Sequence, residues 1–167
     1  MNAAATTKHE ATIEAAPDLP IIIITREFDA SAERVFRAHV DRDLFARWVG
    51  PRSIDTTIET WDARTGGSWA YRVGRAEDGL DTSFYGSFHE VRPSERIVQT
   101  FTWAGAPDQV MLETMTFEPL EGGRCRIVGR SISESIEVRD QMLASGMDVG
   151  VQEGYAQLDE LLADGSA

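Results

Sequence analysis

The sequence changes its hydrophobic period once, near residue 135, and this change limits the folds that the chain can adopt. Between residues 54 and 132, apolar and polar side chains alternate in six segments separated by turn sequences that contain glycine or proline. A period of two is typical of antiparallel strands with one buried face. Farther along, apolar residues recur at helical spacing, at Met147, Val151, Tyr155, Leu158 and Leu162. The pattern predicts an antiparallel sheet covered by one helix over residues 135–162.

The segment before the alternating region adds one strand and two short helices. Residues 19–28 are rich in β-branched side chains and predict a strand. Ser31 and Asp41 are favourable N-cap residues, and they precede helical segments at residues 32–38 and 44–48. The sequence therefore predicts an α+β fold, in which a curved antiparallel sheet wraps on a long C-terminal helix and two short helices follow the first strand.

The chain of 167 residues is long enough for one substantial hydrophobic core. Residues 1–17 carry no apolar periodicity, so we expect them to form a mobile N-terminal tail. Residues 18–163 are expected to form a single ligand-binding domain, and residues 164–167 a frayed C-terminus.

Charge and composition exclude several classes of function. The formal net charge of −12 would repel nucleic acid and anionic membranes. No segment approaches the ~20 apolar residues of a membrane helix, and the first residues do not resemble a signal peptide, so we expect a cytoplasmic protein. The single cysteine, Cys125, cannot form an intramolecular disulfide or a multi-cysteine zinc site, and its strand pattern predicts a buried, inert thiol.

No established catalytic, metal-binding or cofactor-binding motif occurs in the sequence, which leaves open whether the protein is an enzyme. The three histidines, His9, His39 and His89, lack partners at metal-ligand spacing. Glu113 falls on the apolar face of its predicted strand, where burial would raise its pKa and suit it to acid–base chemistry. Alternatively, Glu113 lies at a bulge or rim, or forms a salt bridge with an arginine such as Arg72 or Arg130. Tyr85 and His89 are further polar candidates for a pocket mouth.

A curved sheet and a single crossing helix cannot meet along their whole length, so large side chains or a ligand must fill the gap. Residues on the inward faces of separate elements are the candidate wall of a pocket of about 300–1,000 Å³. The candidate ligand-binding residues are Trp48, Trp69, Tyr71, Phe84, Tyr85, Phe101, Trp103, Met111, Glu113, Met115, Met147, Val151 and Tyr155.

Several stretches of the sequence resemble one known family. They are residues 26–36 (REFDASAERVF), 44–51 (LFARWVGP), 85–97 (YGSFHEVRPSERI), 145–148 (SGMD) and 153–155 (EGY). Together they resemble the family related to the activator of the 90-kDa heat-shock-protein ATPase, within the superfamily of START-like and birch-pollen-allergen-like (SRPBCC) ligand-binding domains. The resemblance covers residues 19–162 and implies a helix-grip fold. The eukaryotic chaperone activators carry a separate N-terminal domain that this sequence does not show, so chaperone activation is not implied.

Three classes of function remain open at this point. The first is a module that binds a hydrophobic or aromatic small molecule between the sheet and the C-terminal helix. The second is a cyclase- or hydrolase-like enzyme that uses Glu113, Tyr85 or His89 as acid or base. The third is a regulatory protein that interacts with a chaperone through its acidic surface. We expect no cofactor, no nucleic-acid or membrane partner, and a monomer or homodimer.

Overall fold

One sheet of eight antiparallel strands and four helices make up the computed structural model, which describes residues 9–167. The elements in chain order are β1 (Thr12–Ala15), β2 (Ile21–Phe28), α1 (Ala32–Val40), α2 (Arg42–Trp48), β3 (Asp55–Trp61), β4 (Ser68–Arg75), β5 (Leu80–Arg92), β6 (Arg96–Trp103), β7 (Met111–Leu120), β8 (Arg124–Ile132), α3 (Ile136–Ala144) and α4 (Met147–Ala163). The predicted α+β class, with two short helices after β2 and a helix at the C-terminal end, is confirmed.

The strands lie in the order β1-β2-β8-β7-β6-β5-β4-β3. Strands β3 to β8 form a meander, and β2 joins them by pairing with the last strand, from Ile21 opposite Ile132 to Phe28 opposite Cys125. The alternation predicted for the inner face is also present. In β8, Cys125 and Ile127 are buried, whereas their neighbours Arg124 and Arg126 are only partly buried.

The two short helices have the N-cap residues that the sequence predicts, although α2 begins at Arg42, two residues before the predicted segment 44–48. The Ser31 hydroxyl accepts a hydrogen bond from the backbone N–H of Arg34, at 3.3 Å, and caps α1. The Asp41 carboxylate accepts from the N–H groups of Asp43 and Leu44, at 3.0 Å each, and caps α2. These caps satisfy backbone donors that the first turn of a helix leaves without partners.

The C-terminal helical region is divided, whereas the sequence analysis predicts a continuous helix over residues 135–162. The backbone of Gly146 has φ of 83°, a left-handed conformation that ends α3 and allows α4 to start in a new direction. The predicted inward face of α4 is nevertheless present. Tyr155, Leu158 and Leu162 are buried, and Tyr155 packs edge-on against Phe28 of β2 with ring centroids 5.3 Å apart.

The expectation of a mobile tail is wrong for residues 12–15, which form β1 at the edge of the sheet. The tail lacks an apolar stripe, but main-chain pairing with β2 holds it, from Thr12 opposite Thr25 to Ala15 opposite Ile22. The side chain of Gln152 on α4 also exchanges two hydrogen bonds with the backbone of Ala11, at 3.0 and 2.8 Å. The remainder of the expected tail, residues 1–8, lies outside the described residues.

The expected fraying of residues 164–167 is also wrong. Ala167 is buried, and its backbone N–H donates to the carbonyl of Leu161 at 3.1 Å. The guanidinium of Arg34 on α1 donates from Nε to the Ala167 carbonyl at 3.0 Å. These contacts hold the segment after α4 against the first helix.

Candidate functional site

A cavity of about 240 Å³ lies between the inner face of the sheet, α2 and α4. It is somewhat smaller than the range expected from the sequence. Eight of the thirteen residues proposed from the sequence lie in its wall, and they come from five different elements: Trp48, Trp69, Tyr71, Phe101, Glu113, Met115, Val151 and Tyr155.

Three of the other candidates point inward or pack close by but do not line the cavity. Phe84 stacks obliquely behind Tyr71 and Phe101, with centroids 5.5 and 5.3 Å away. Met111 is buried at the start of β7, where its sulfur accepts a hydrogen bond from the Ser133 hydroxyl at 3.6 Å. Met147 is half-buried in the first turn of α4.

The remaining two candidates, Tyr85 and Trp103, are exposed, with 41% and 45% of their surface accessible. Tyr85 pairs with Thr102 on the outer face, beside a shallow groove. Trp103 ends β6, where the sheet no longer has cover, and its indole N–H donates to the Thr82 hydroxyl at 2.6 Å. His89 is exposed as well, so neither Tyr85 nor His89 is placed to act as an acid or base inside the cavity.

Glu113 lies at the centre of a row of polar side chains that crosses three strands. The strand register sets Gln99 of β6, Glu113 of β7 and Ser131 of β8 directly opposite one another. The Gln99 amide donates to one carboxylate oxygen of Glu113 at 2.9 Å, and the Ser131 hydroxyl donates to the other at 3.2 Å. Within the described chain these are its hydrogen-bond partners, in place of the arginine considered from the sequence.

Burial raises the pKa of the Glu113 carboxyl, and the two hydrogen bonds from Gln99 and Ser131 offset only part of that effect. The side chain still has accessible surface because it faces the cavity. Glu113 is therefore a hydrogen-bonding group held in a fixed position on a wall that is mostly apolar and aromatic.

His39 is a second polar group of the wall, and the sequence analysis did not select it. Its Nδ1 lies 2.7 Å from the carbonyl oxygen of Val35, one turn earlier in α1. A carbonyl can only accept, so Nδ1 carries the proton and Nε2 presents a lone pair. Burial lowers the pKa of His39 from 6.5 to about 4, and the ring is neutral at pH 7.

The signals for these additional residues are present in the sequence. His39 follows Val35 by four positions and therefore shares its buried helix face. Gln99 lies between Ile97 and Phe101 on one face of β6 by the same alternation that predicts the other wall residues. Gln99 was missed because a polar residue on an apolar strand face gives no evidence of its partners until the strand register is known. His39 was missed because helical spacing does not show where α1 lies relative to the sheet.

Aromatic rings form most of the remaining wall, and hydrogen bonds fix two of them. The indole N–H of Trp48 donates to the carbonyl of Ala38 at 2.8 Å, and that of Trp61 donates to Val40 at 2.7 Å. Trp48 also stacks on Tyr155, with ring centroids 5.8 Å apart, and so connects α2 to α4. These contacts make the wall preformed, which reduces the entropy lost on binding.

Two glycines near the cavity differ in what a side chain would meet. A Cβ on Gly129 of β8 would lie 3.7 Å from the carbonyl oxygen of Ile24, an ordinary contact, and Gly129 lines the cavity. A Cβ on Gly150 would instead lie 3.6 Å from Pro51, and Gly150 is not part of the wall. A larger side chain at position 129 would therefore occupy the cavity, whereas one at position 150 would press on the loop before β3.

Among residues 9–167, no group of three or more histidine, cysteine, aspartate or glutamate side chains is arranged to hold a metal ion. In the same part of the chain, no helix is long and apolar enough to cross a membrane.

Comparison with known families gives a match over most of the chain. Residues 29–163 match the family described as activator of Hsp90 ATPase homolog 1-like protein. No curated protein sequence matches significantly.

Solved structures with the same fold come from several bacteria. A protein from Arthrobacter aurescens is 29% identical and superposes with a TM-score of 0.82, over 92% of this chain and 91% of the other. A protein from Mycobacterium smegmatis is 25% identical, with a TM-score of 0.82 over 91% and 96% of the two chains. An AHSA1-like protein from Aeromonas hydrophila is 20% identical, with a TM-score of 0.64 over 87% and 95%, and at that identity supports the fold alone.

Proposed function

This chain belongs to the family of activator of Hsp90 ATPase homolog 1-like proteins, and from that premise we propose that it binds a small, largely apolar aromatic molecule in the cavity between the sheet and α4. The fold of the family is compatible with ligand binding in such a pocket. The observation that carries the proposal is the cavity itself, because a core built for stability alone would be close-packed.

The volume of the cavity supports a ligand of limited size. A cavity of about 150 Å³ in a protein core binds benzene. The present cavity, at about 240 Å³, is roughly 1.6 times as large, which suits a molecule with two fused rings or one substituted ring. A long acyl chain or a steroid would need considerably more space.

The chemistry of the wall supports an aromatic ligand. Trp61, Trp69 and Tyr71 present rings, and offset or edge-on contacts between rings add about 0.5–1.5 kcal/mol beyond the burial of area. Met115 supplies a flexible, polarisable side chain that adapts to ligand shape.

The test compares the wild-type protein with Gly129→Leu, using 2-naphthol and 2-methylnaphthalene as probes in calorimetric titrations and thermal melts. We expect both probes to bind the wild type and to raise its melting temperature, since a ligand that binds only the folded state stabilises it. We expect Gly129→Leu to fold normally and to bind neither probe, because the leucine side chain occupies the cavity.

The matched control is Val128→Leu, which adds a methylene group to the neighbouring residue on the outer face of β8. It is expected to bind both probes as the wild type does. Absence of binding to the wild type, or unchanged binding to a folded Gly129→Leu protein, would contradict the proposed function.

A further inference from the structure

The hydrogen-bonding groups of the cavity wall define which ligands fit, beyond the requirement for apolar surface. His39 is 94% buried, since only 6% of its surface is accessible. Its Nε2 has no hydrogen-bond partner among residues 9–167. An acceptor without a partner in a buried site costs free energy, which a ligand that supplies a donor recovers.

The geometry of the imidazole directs Nε2 away from α1. The opposite nitrogen, Nδ1, is bound to the helix carbonyl of Val35. The ring is fixed between Trp48 and Phe117, with centroid separations of 4.7 and 5.3 Å, so it cannot turn to offer a different atom. The direction of the free lone pair is thus fixed, and because Nε2 itself has almost no accessible surface, a ligand donor reaches it once a neighbouring wall side chain moves aside.

Glu113 adds further acceptor oxygens. Gln99 and Ser131 donate one hydrogen bond to each carboxylate oxygen, and each oxygen keeps a second lone pair. The Gln99 N–H and the Ser131 O–H that donate to Glu113 are therefore not free to donate to a ligand.

No basic side chain in the described part of the wall is placed to neutralise an anion. His39 is neutral. Arg130 is among the lining residues, but it is exposed and lies opposite Thr114, in a row that faces the outer side of the sheet. The hydroxyls of Tyr71 and Tyr155 stay protonated because burial raises their pKa values, to about 12 for Tyr155. The Trp69 indole N–H is a buried donor without a partner among residues 9–167, but it carries no charge.

From these contacts we infer that the cavity selects neutral aromatic molecules that carry a hydrogen-bond donor such as a hydroxyl. His39 Nε2 accepts this hydrogen bond, and the carboxyl group of Glu113 disfavours anionic analogues. This inference rests on the proposed function and specifies its ligand class. It assigns a binding role to His39 and a discriminating role to Glu113.

The experiment measures dissociation constants at pH 7 for three probes of similar shape: 2-naphthol, 2-methylnaphthalene and 2-naphthoate. The variants are His39→Phe, which keeps an aromatic ring between Trp48 and Phe117, and His89→Phe, the same change at an exposed histidine. A neutral hydrogen bond contributes roughly three- to tenfold in affinity. We therefore expect the ratio of the 2-naphthol constant to the 2-methylnaphthalene constant to rise about three- to tenfold in His39→Phe and to stay unchanged in His89→Phe.

For the anion, we expect 2-naphthoate to bind the wild type at least about tenfold more weakly than 2-naphthol, and this penalty to shrink in Glu113→Gln. A ratio that changes less than about twofold in His39→Phe, or 2-naphthoate that binds as tightly as 2-naphthol, overturns the inference while the proposed function stands. If neither uncharged probe binds the wild type, the proposed function fails and this inference fails with it.

Discussion

At the scale of single residues, the buried histidine has the largest consequence for stability. The imidazole of His39 is protonated in the unfolded chain below pH 6.5, but burial keeps it neutral in the folded protein down to about pH 4. Between these two values the unfolded state binds one more proton than the folded state. Stability contributed by the neutral imidazole is therefore present above pH 6.5 and is lost as the pH falls toward 4.

We predict that His39→Phe flattens the acid side of the stability profile. A difference of 2.5 between the two pKa values corresponds to about 3 kcal/mol in the free energy of unfolding. Urea denaturation from pH 7 to pH 4 should show the wild type losing about that much more stability than the variant. Glu113, whose raised pKa acts in the opposite direction, is present in both proteins and cancels in the comparison. Parallel curves would show that His39 does not titrate as described.

Residue patterns predict which side chains face the interior, but not which of them meet. Alternation in β7 predicts that Met111, Glu113 and Met115 share the inner face, and they do. It cannot show that Met111 lies beyond the cavity or that Glu113 meets Gln99 and Ser131. Those contacts depend on the register of β6, β7 and β8, which turn geometry and sheet curvature determine together.

At the scale of elements, the two errors in the secondary structure, the missed β1 and the undivided C-terminal helix, both involve features that leave no hydrophobic signal in the sequence. β1 is held by pairing with β2 and by Gln152 of α4, and neither interaction gives a periodic pattern in the sequence. Three glycines at residues 146, 150 and 154 appear equivalent in the sequence, yet only Gly146 has a left-handed backbone. Gly154 instead allows close packing, since a Cβ there would lie 3.1 Å from the carbonyl oxygen of Trp48.

We predict that Gln152→Ala destabilises the protein by about 1–3 kcal/mol, because it removes both hydrogen bonds to the backbone of Ala11, a buried residue, and leaves those backbone groups unpaired. Chemical denaturation of the variant measures the loss. The control is Gln141→Ala on the exposed side of α3, for which a change within about 0.5 kcal/mol is expected. Equal effects of the two substitutions would mean that the hydrogen bonds between Gln152 and Ala11 contribute nothing to stability.

At the scale of the whole molecule, one sheet unites segments from both ends of the chain. β2 lies between β1 and β8, and the rings of Trp48, Phe28 and Tyr155 connect α2, β2 and α4 in one core. Elements that share one sheet and one core are expected to unfold together. Residues 18–163 are therefore proposed to behave as one cooperative domain.

The corresponding prediction is that urea transitions followed by tryptophan emission and by far-ultraviolet circular dichroism coincide. Trp48, Trp61 and Trp69 report on the cavity wall, whereas dichroism reports on all strands and helices. Separate midpoints would indicate that the part of the sheet around β3 and β4 unfolds independently of β2, β7 and β8, and would contradict a single domain.

The pairing of β2 with the last strand has a consequence for the time course of protein synthesis. β8 begins at Arg124, so about 100 residues must be translated after β2 before its partner exists. At roughly 5–20 residues per second, a ribosome needs on the order of 5–20 s for that length. During this interval the isoleucine run at residues 21–24 has β1 along one side only, and its other edge is an open template for pairing with a second nascent chain. The position of the last strand in the sequence thus sets how long each new chain is vulnerable to aggregation.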